Sequence, residues 1–163
     1  MTQRHRDTAP ADAAGPGIRV QPPLIYAASM LAGIGLDRLW PLAMPPGLHG
    51  PLPAGIVLAL VLLLSALCIR EYHNAGTEIR ADRPDTALIT SGPYRYSRNP
   101  LYICLTLVQL GVAMYLDNAW ILGMSVASVA VITRYAIRRE ERYLEQVFGQ
   151  HYRDYRRRVR RWL

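Results

Sequence analysis

Residues 91–102 read SGPYRYSRNPLY, two arginines and three tyrosines set around a Gly-Pro and an Asn-Pro, directly before a long apolar run. These residue types hold ligands. Arginine grips a carboxylate or phosphate through two parallel N–H bonds. A tyrosine face meets a cation, and the N-terminus of a helix favours an anion. Asn99-Pro100 marks such a terminus, because Asn is a good cap and Pro is favoured at the first helical position. Tyr94, Arg95, Tyr96 and Arg98 lead into it, and Tyr102 falls in the first turn. The plainer reading of the same residues is an aromatic and basic belt at a membrane surface.

A second polar cluster lies further on, in TRYAIRREERYLEQVFGQHY (133–152). At helical spacing Arg134, Arg138, Glu141 and Glu145 make one charged stripe, with Glu140 on a neighbouring face. A solvated helix with surface ion pairs has the same pattern. Gly149 is a natural C-cap. Beyond it, Tyr152, Tyr155, Val159 and Trp162 recur at spacings of 3, 4 and 3. The arginines between them make QHYRDYRRRVRRW a basic amphipathic helix. It suits an anionic membrane surface, and equally a cover over a cytoplasmic pocket. His73 stands alone at the end of an apolar run, as an interfacial residue does. Cys68 and Cys104 both lie inside apolar runs. No Cys/His cluster has metal-ligand spacing and no disulfide framework is suggested, so no metal is expected.

The elements that must position these residues are membrane helices. A span needs roughly 20 mostly apolar residues. Four stretches approach this, at about 22–40, 52–71, 100–116 and 118–137. Residues 1–21 are polar and rich in Ala, Pro and Gly, which reads as a disordered tail, and no cleavable signal peptide is evident. The expected fold is all-α: one integral membrane helical bundle over 22–163, with a cytoplasmic loop at 72–99 and cytoplasmic C-terminal helices at 138–163.

All nineteen basic residues are Arg, and the net charge is +7. Arg4, Arg6 and Arg19 precede the first span, and Arg70, Arg80, Arg83, Arg95 and Arg98 lie between the second and third. Ten more run from Arg134 to Arg161, whereas the other side holds only Arg38. By the positive-inside rule both termini and the 72–99 loop are cytoplasmic, and any active site with them. Because the charge flanks apolar runs, anionic lipid head groups explain it better than nucleic acid does.

Taken together, SGPYRYSRNPLY and, about forty residues later, EERYLEQVFGQHYRDYRRRVRRW resemble the isoprenylcysteine carboxyl methyltransferase family of integral membrane enzymes and its bacterial relatives. The match covers roughly 72–162. That family's usual Arg-His-Pro is Arg98-Asn99-Pro100 here, and Asn cannot serve as a base near neutral pH. The resemblance implies S-adenosyl-L-methionine as cofactor, held on the cytoplasmic side, with a lipid-like substrate arriving sideways from the bilayer. It places Tyr94, Tyr96, Arg98, Asn99, Pro100 and Tyr102 at the cofactor, closed from the other helix by Glu140 and Glu141. One glutamate would face the ligand and the other would orient Arg98 or Arg95. Arg139 or Arg98 would hold an acceptor carboxylate, so that Arg98, Arg139 and Glu141 carry the reaction. The expected setting is a multi-pass protein of a bacterial inner membrane. Two rival readings are an NADPH-dependent sterol or lipid reductase, which is usually longer, and a membrane scaffold without activity.

Overall fold

Prolines set the starts of three helices: α1 (Pro22–Leu39), α2 (Pro51–Ala75) and α3 (Pro100–Tyr115). A first-turn residue has no intrahelical partner for its N–H, so proline costs nothing there. α4 (Ala119–Ile132) starts differently. Its cap, Asn118, accepts from the Ile121 N–H at 2.9 Å. The computed structural model describes residues 16–76 and 87–163. Most of the expected disordered tail, and the stretch with Arg80 and Arg83, therefore lie outside the described residues.

Among the described residues the fold is all-helical apart from loops, turns and one isolated bridge. Among the described residues two helices are long and apolar enough to cross a membrane: α2, and the continuous run Ala119–Arg158 that joins α4 to α5 (Arg138–Arg158). α1 has 18 residues and ends on Asp37-Arg38, while α3 has 16. α2 reaches four residues further into the 72–99 loop than its hydropathy marks, and Gly76 ends it at a left-handed φ of 66°. A π turn at Thr133–Ile137 carries α4 into α5. Such a wide turn rotates the residues that follow, and π turns are frequent at functional sites.

α3 lies between α2 and α4, and α1 packs along α4. The α1–α4 contact is tight at Gly33, where an added Cβ would sit 2.8 Å from Ile121 Cγ1 and 2.9 Å from its backbone. Next to it the buried Gln109 amide donates to Ser29 at 3.1 Å, and Ser128 donates to the same Ser29 oxygen at 2.7 Å. Small residues and shared hydroxyls are how helices associate when both solvent and partner are apolar. α2 turns Leu52, Ile56, Leu58, Leu60, Leu62 and Leu63 outward, a surface suited to lipid chains rather than water.

The C-terminus departs from the sequence pattern. Gly149 (φ 52°, ψ −121°) kinks α5 where a cap is expected, and helix resumes up to Arg158. The expected terminal helix to Trp162 stops there. Val159 is extended, and Arg160 forms a parallel bridge with Ser97. The tail leaves the helix because segment 97–99 offers donors to its carbonyls: Arg98 N–H to Arg160 at 3.0 Å, and the Asn99 amide to Arg161 at 2.9 Å.

Candidate functional site

The stretch that precedes α3 is folded by one turn and one buried carboxylate. Ser91 donates a short hydrogen bond to Glu71, which is buried on α2. Gly92 then takes φ 56°, and an added Cβ would lie 2.8 Å from Glu71 Cγ, so both space and backbone demand glycine. The 3₁₀ turn Gly92–Arg95 directs Tyr94 inward and leaves Tyr96 74% exposed. Pro100 starts α3 as expected, but Asn99 makes no side-chain cap. Its amide is committed to the tail instead.

Above this turn lies a cavity of about 380 Å³. Five tyrosines line it: Tyr72, Tyr94, Tyr102, Tyr152 and Tyr155. Tyr72 and Tyr94 meet edge to face, with centroids 6.0 Å apart. The Tyr155 hydroxyl donates to the Tyr94 carbonyl at 2.7 Å, which ties the terminal helix to the turn. Burial pushes the Tyr94 phenol up, reinforced by Tyr72. Burial raises Tyr155 too, and Tyr152 adds to it. Tyr152 is raised by burial and then by Glu141, against the opposing pull of Arg98. These three phenols are therefore uncharged at any physiological pH.

The charged wall comes from Arg98, Glu140 and Glu141. Arg98 Nη1 meets Glu141 Oε1 at 2.9 Å, and both side chains are only 9% exposed. The same nitrogen donates to the Tyr152 hydroxyl at 3.2 Å. Arg98 Nε is buried with no partner among the described residues. On its other side Glu141 takes a two-pronged contact from Arg161, Nε to Oε1 at 2.8 Å and Nη2 to Oε2 at 2.7 Å. That contact holds the Arg161 guanidinium above its ordinary pKa. Glu140 accepts from the Tyr102 hydroxyl at 2.6 Å, so the two glutamates face different elements of the wall. The apolar remainder includes Leu88, Leu101, Leu105 and Leu144 with Pro22 and Pro23, and Ser65 also lines it.

Of the residues expected at a site, Tyr94, Arg98, Asn99, Tyr102, Glu140 and Glu141 share this cavity. Three do not line it. Tyr96 points to the outside, and Pro100 is buried behind the wall. Arg139 lies over the Tyr135 ring at 4.7 Å and donates to the Gly17 carbonyl at 3.3 Å. The π turn sets which face of α5 looks inward, and that face carries Glu140 and Glu141, leaving Arg139 on the N-terminal segment. Tyr72, Tyr152, Tyr155 and Arg161 were not expected here. The 152–155–159–162 stripe does signal Tyr152 and Tyr155 as inward-facing. Nothing in the sequence separates Arg161 from the other terminal arginines.

Comparison with known proteins adds three findings. The family model for phospholipid methyltransferase, a family related to the isoprenylcysteine carboxyl methyltransferases, matches residues 52–151, which is more than half of the chain. An uncharacterized protein of Haemophilus influenzae is 45% identical over 65 residues, 100% of that protein and 39% of this chain. The cobalt-zinc-cadmium resistance protein CzcN of Cupriavidus metallidurans is 33% identical over 68 residues, 42% of this chain and 32% of CzcN. The chain thus aligns with the whole of the first relative and about a third of the second.

Proposed function

The chain belongs to the phospholipid methyltransferase family, and we propose that it is an integral membrane enzyme that moves a methyl group from S-adenosylmethionine to a lipophilic acceptor. The observation that carries this reading is the cavity itself, in which a buried arginine, two glutamates and five tyrosines meet at one end of a helical bundle. The positive-inside rule applied to the arginine-rich flanks supports a cytoplasmic position for that end, and a bacterial inner membrane suits the pattern. Four spans would include α1 and α3, each packed against a longer helix.

The residues fit the cofactor. A volume of about 380 Å³ lies within the range of small-molecule sites. Arg98 Nε, buried and unpartnered, is a donor that a ligand carboxylate would satisfy. The tyrosine faces offer an aromatic surface for adenine and for a positively charged sulfur. When bound, the cofactor supplies a methyl carbon activated by its sulfonium. The protein's part is then to bind, align and exclude water, and alignment alone removes much of such a barrier. Arg98 anchors the cofactor's carboxylate, while Glu141 fixes the guanidinium that does so. Tyr102 holds Glu140 to the wall.

The acceptor would reach the cavity from the bilayer, to which a mostly apolar lining is suited. If it is a carboxylate, as in the isoprenylcysteine enzymes, it needs no base, being ionised at neutral pH. It would then have to share Arg98, the one basic side chain on the described wall. An acceptor that must lose a proton would find Glu140. The exposed arginines of the terminal helix, Arg153, Arg156, Arg157 and Arg158, suit anionic head groups beside the site.

Calorimetry of the detergent-purified protein with S-adenosylhomocysteine tests the reading. Saturable binding at one site, lost in Arg98→Ala, is the expected result. Failure of a folded sample to bind at millimolar ligand overturns it. Saturable NADPH binding in its place would support a reductase.

A further inference from the structure

We propose that Arg161 is a positioning residue whose task is to neutralise Glu141, so that Arg98 keeps a net positive charge for an anionic ligand group. This rests on the methyltransferase reading above. A guanidinium already paired one-to-one with a carboxylate is a poor anion site, because the pair is neutral as a whole. Arg98 and Glu141 alone would be such a pair, held at 2.9 Å in nearly full burial. Arg161 changes the balance. It covers both oxygens of Glu141 with its Nε and Nη2 at 2.8 and 2.7 Å, and the three side chains together carry one net positive charge. The nitrogen without a partner among the described residues, Nε, is on Arg98, the one of the two arginines that lines the cavity.

The backbone is built to deliver Arg161 to this place. The Arg160 carbonyl accepts from Arg98 N–H at 3.0 Å. The Arg161 carbonyl accepts from the Asn99 amide at 2.9 Å and from the Ser97 hydroxyl at 3.3 Å. Trp162 packs on the cluster that contains Tyr102 and Ile137. The tail therefore grips the segment that carries Arg98, while its own side chain grips the glutamate that orients Arg98. The extended backbone at Val159 places the Arg160 and Arg161 carbonyls against segment 97–99.

A structural role and an electrostatic one differ in ligand selectivity. S-adenosylhomocysteine has a carboxylate, and 5′-methylthioadenosine has the same nucleoside and thioether without it. The affinities of both are measured by calorimetry or competition in wild type, Arg161→Gln and Arg161→Lys, with melting temperature followed alongside. In Arg161→Gln the expected result is a loss of about tenfold or more for S-adenosylhomocysteine and a change of less than about twofold for 5′-methylthioadenosine. Arg161→Lys, which keeps the charge but not the fork, should fall between. Equal losses for both ligands, or no loss for either, overturn the inference. If Arg161→Gln does not fold, the same ratio read in Arg161→Lys decides. Absence of S-adenosylhomocysteine binding in wild type is a failure of the methyltransferase reading, and is seen before any variant is made.

Discussion

Glu141→Gln is the most informative single change at the site. In the native protein two carboxylate oxygens accept three N–H bonds from two guanidiniums, at 2.9, 2.8 and 2.7 Å. Glutamine retains one oxygen and replaces the other with an NH₂, which must then face an arginine N–H. At least one charge-assisted bond is lost, at about 1.5–3 kcal/mol. Two cations also lose their counter-charge. Breaking a buried ion pair by removing one partner costs about 3–5 kcal/mol. Arg161 is 32% exposed and can rehydrate, whereas Arg98 at 9% cannot. The lower end, about 3 kcal/mol, is therefore expected. For a chain of this size that corresponds to about 6–12 °C in melting temperature, read from tryptophan fluorescence in detergent. S-adenosylhomocysteine affinity should fall by about tenfold or more, because Arg98 loses its orientation. A variant that melts within about 2 °C of wild type and binds with native affinity would refute the argument that Glu141 organises the site.

Tyr102→Phe removes only the hydroxyl that donates to Glu140 at 2.6 Å. The fold should persist while ligand affinity drops by about three- to tenfold, measured by calorimetry, since hydrogen bonds to charged groups contribute about 1.5–3 kcal/mol at most. Gly33→Ala forces a Cβ to within 2.8 Å of Ile121 on α4. Overpacking of this kind costs about 1–3 kcal/mol, which a lower melting temperature should report; an unchanged one would mean that α1 and α4 are not held so closely. Tyr94, Tyr152 and Tyr155 all have phenols raised above their ordinary value. The native state then holds more protons than the unfolded one above about pH 10. The contribution of these tyrosines to stability should be constant below that pH and be lost as pH rises past it. Tyrosinate absorbance should appear for these residues only with unfolding, and early reversible ionisation without unfolding would contradict their burial.

Much of the architecture was legible because long apolar helices are declared by composition. The apolar run of α2, the Asn-Pro start of α3 and the passage of the fourth apolar run into a charged helix are local properties, and local rules govern them. Gly149 was readable as a break, and it does take a positive φ, although helix resumes beyond it to Arg158. The neighbourhood of Arg98, Asn99 and Tyr102 was readable too, since these residues lie within one helical turn of a known start.

What the chain order alone could not assign were partners distant in sequence. Arg139 precedes Glu140 and Glu141, yet the phase of the helix after the π turn at 133–137 sends it to Gly17 and Tyr135, away from the cavity. Arg161 is one of many terminal arginines, and periodicity placed it on a helix that in fact ends at Arg158. Its place at the site comes from hydrogen bonds to residues more than sixty positions earlier. Asn99 was legible as a cap, but the tail claims its amide. The sequence by itself determined the helices and the prolines that start them, because each depends on near neighbours. Only the tertiary structure decided which arginine meets which carboxylate, because like side chains are interchangeable until packing fixes their distances.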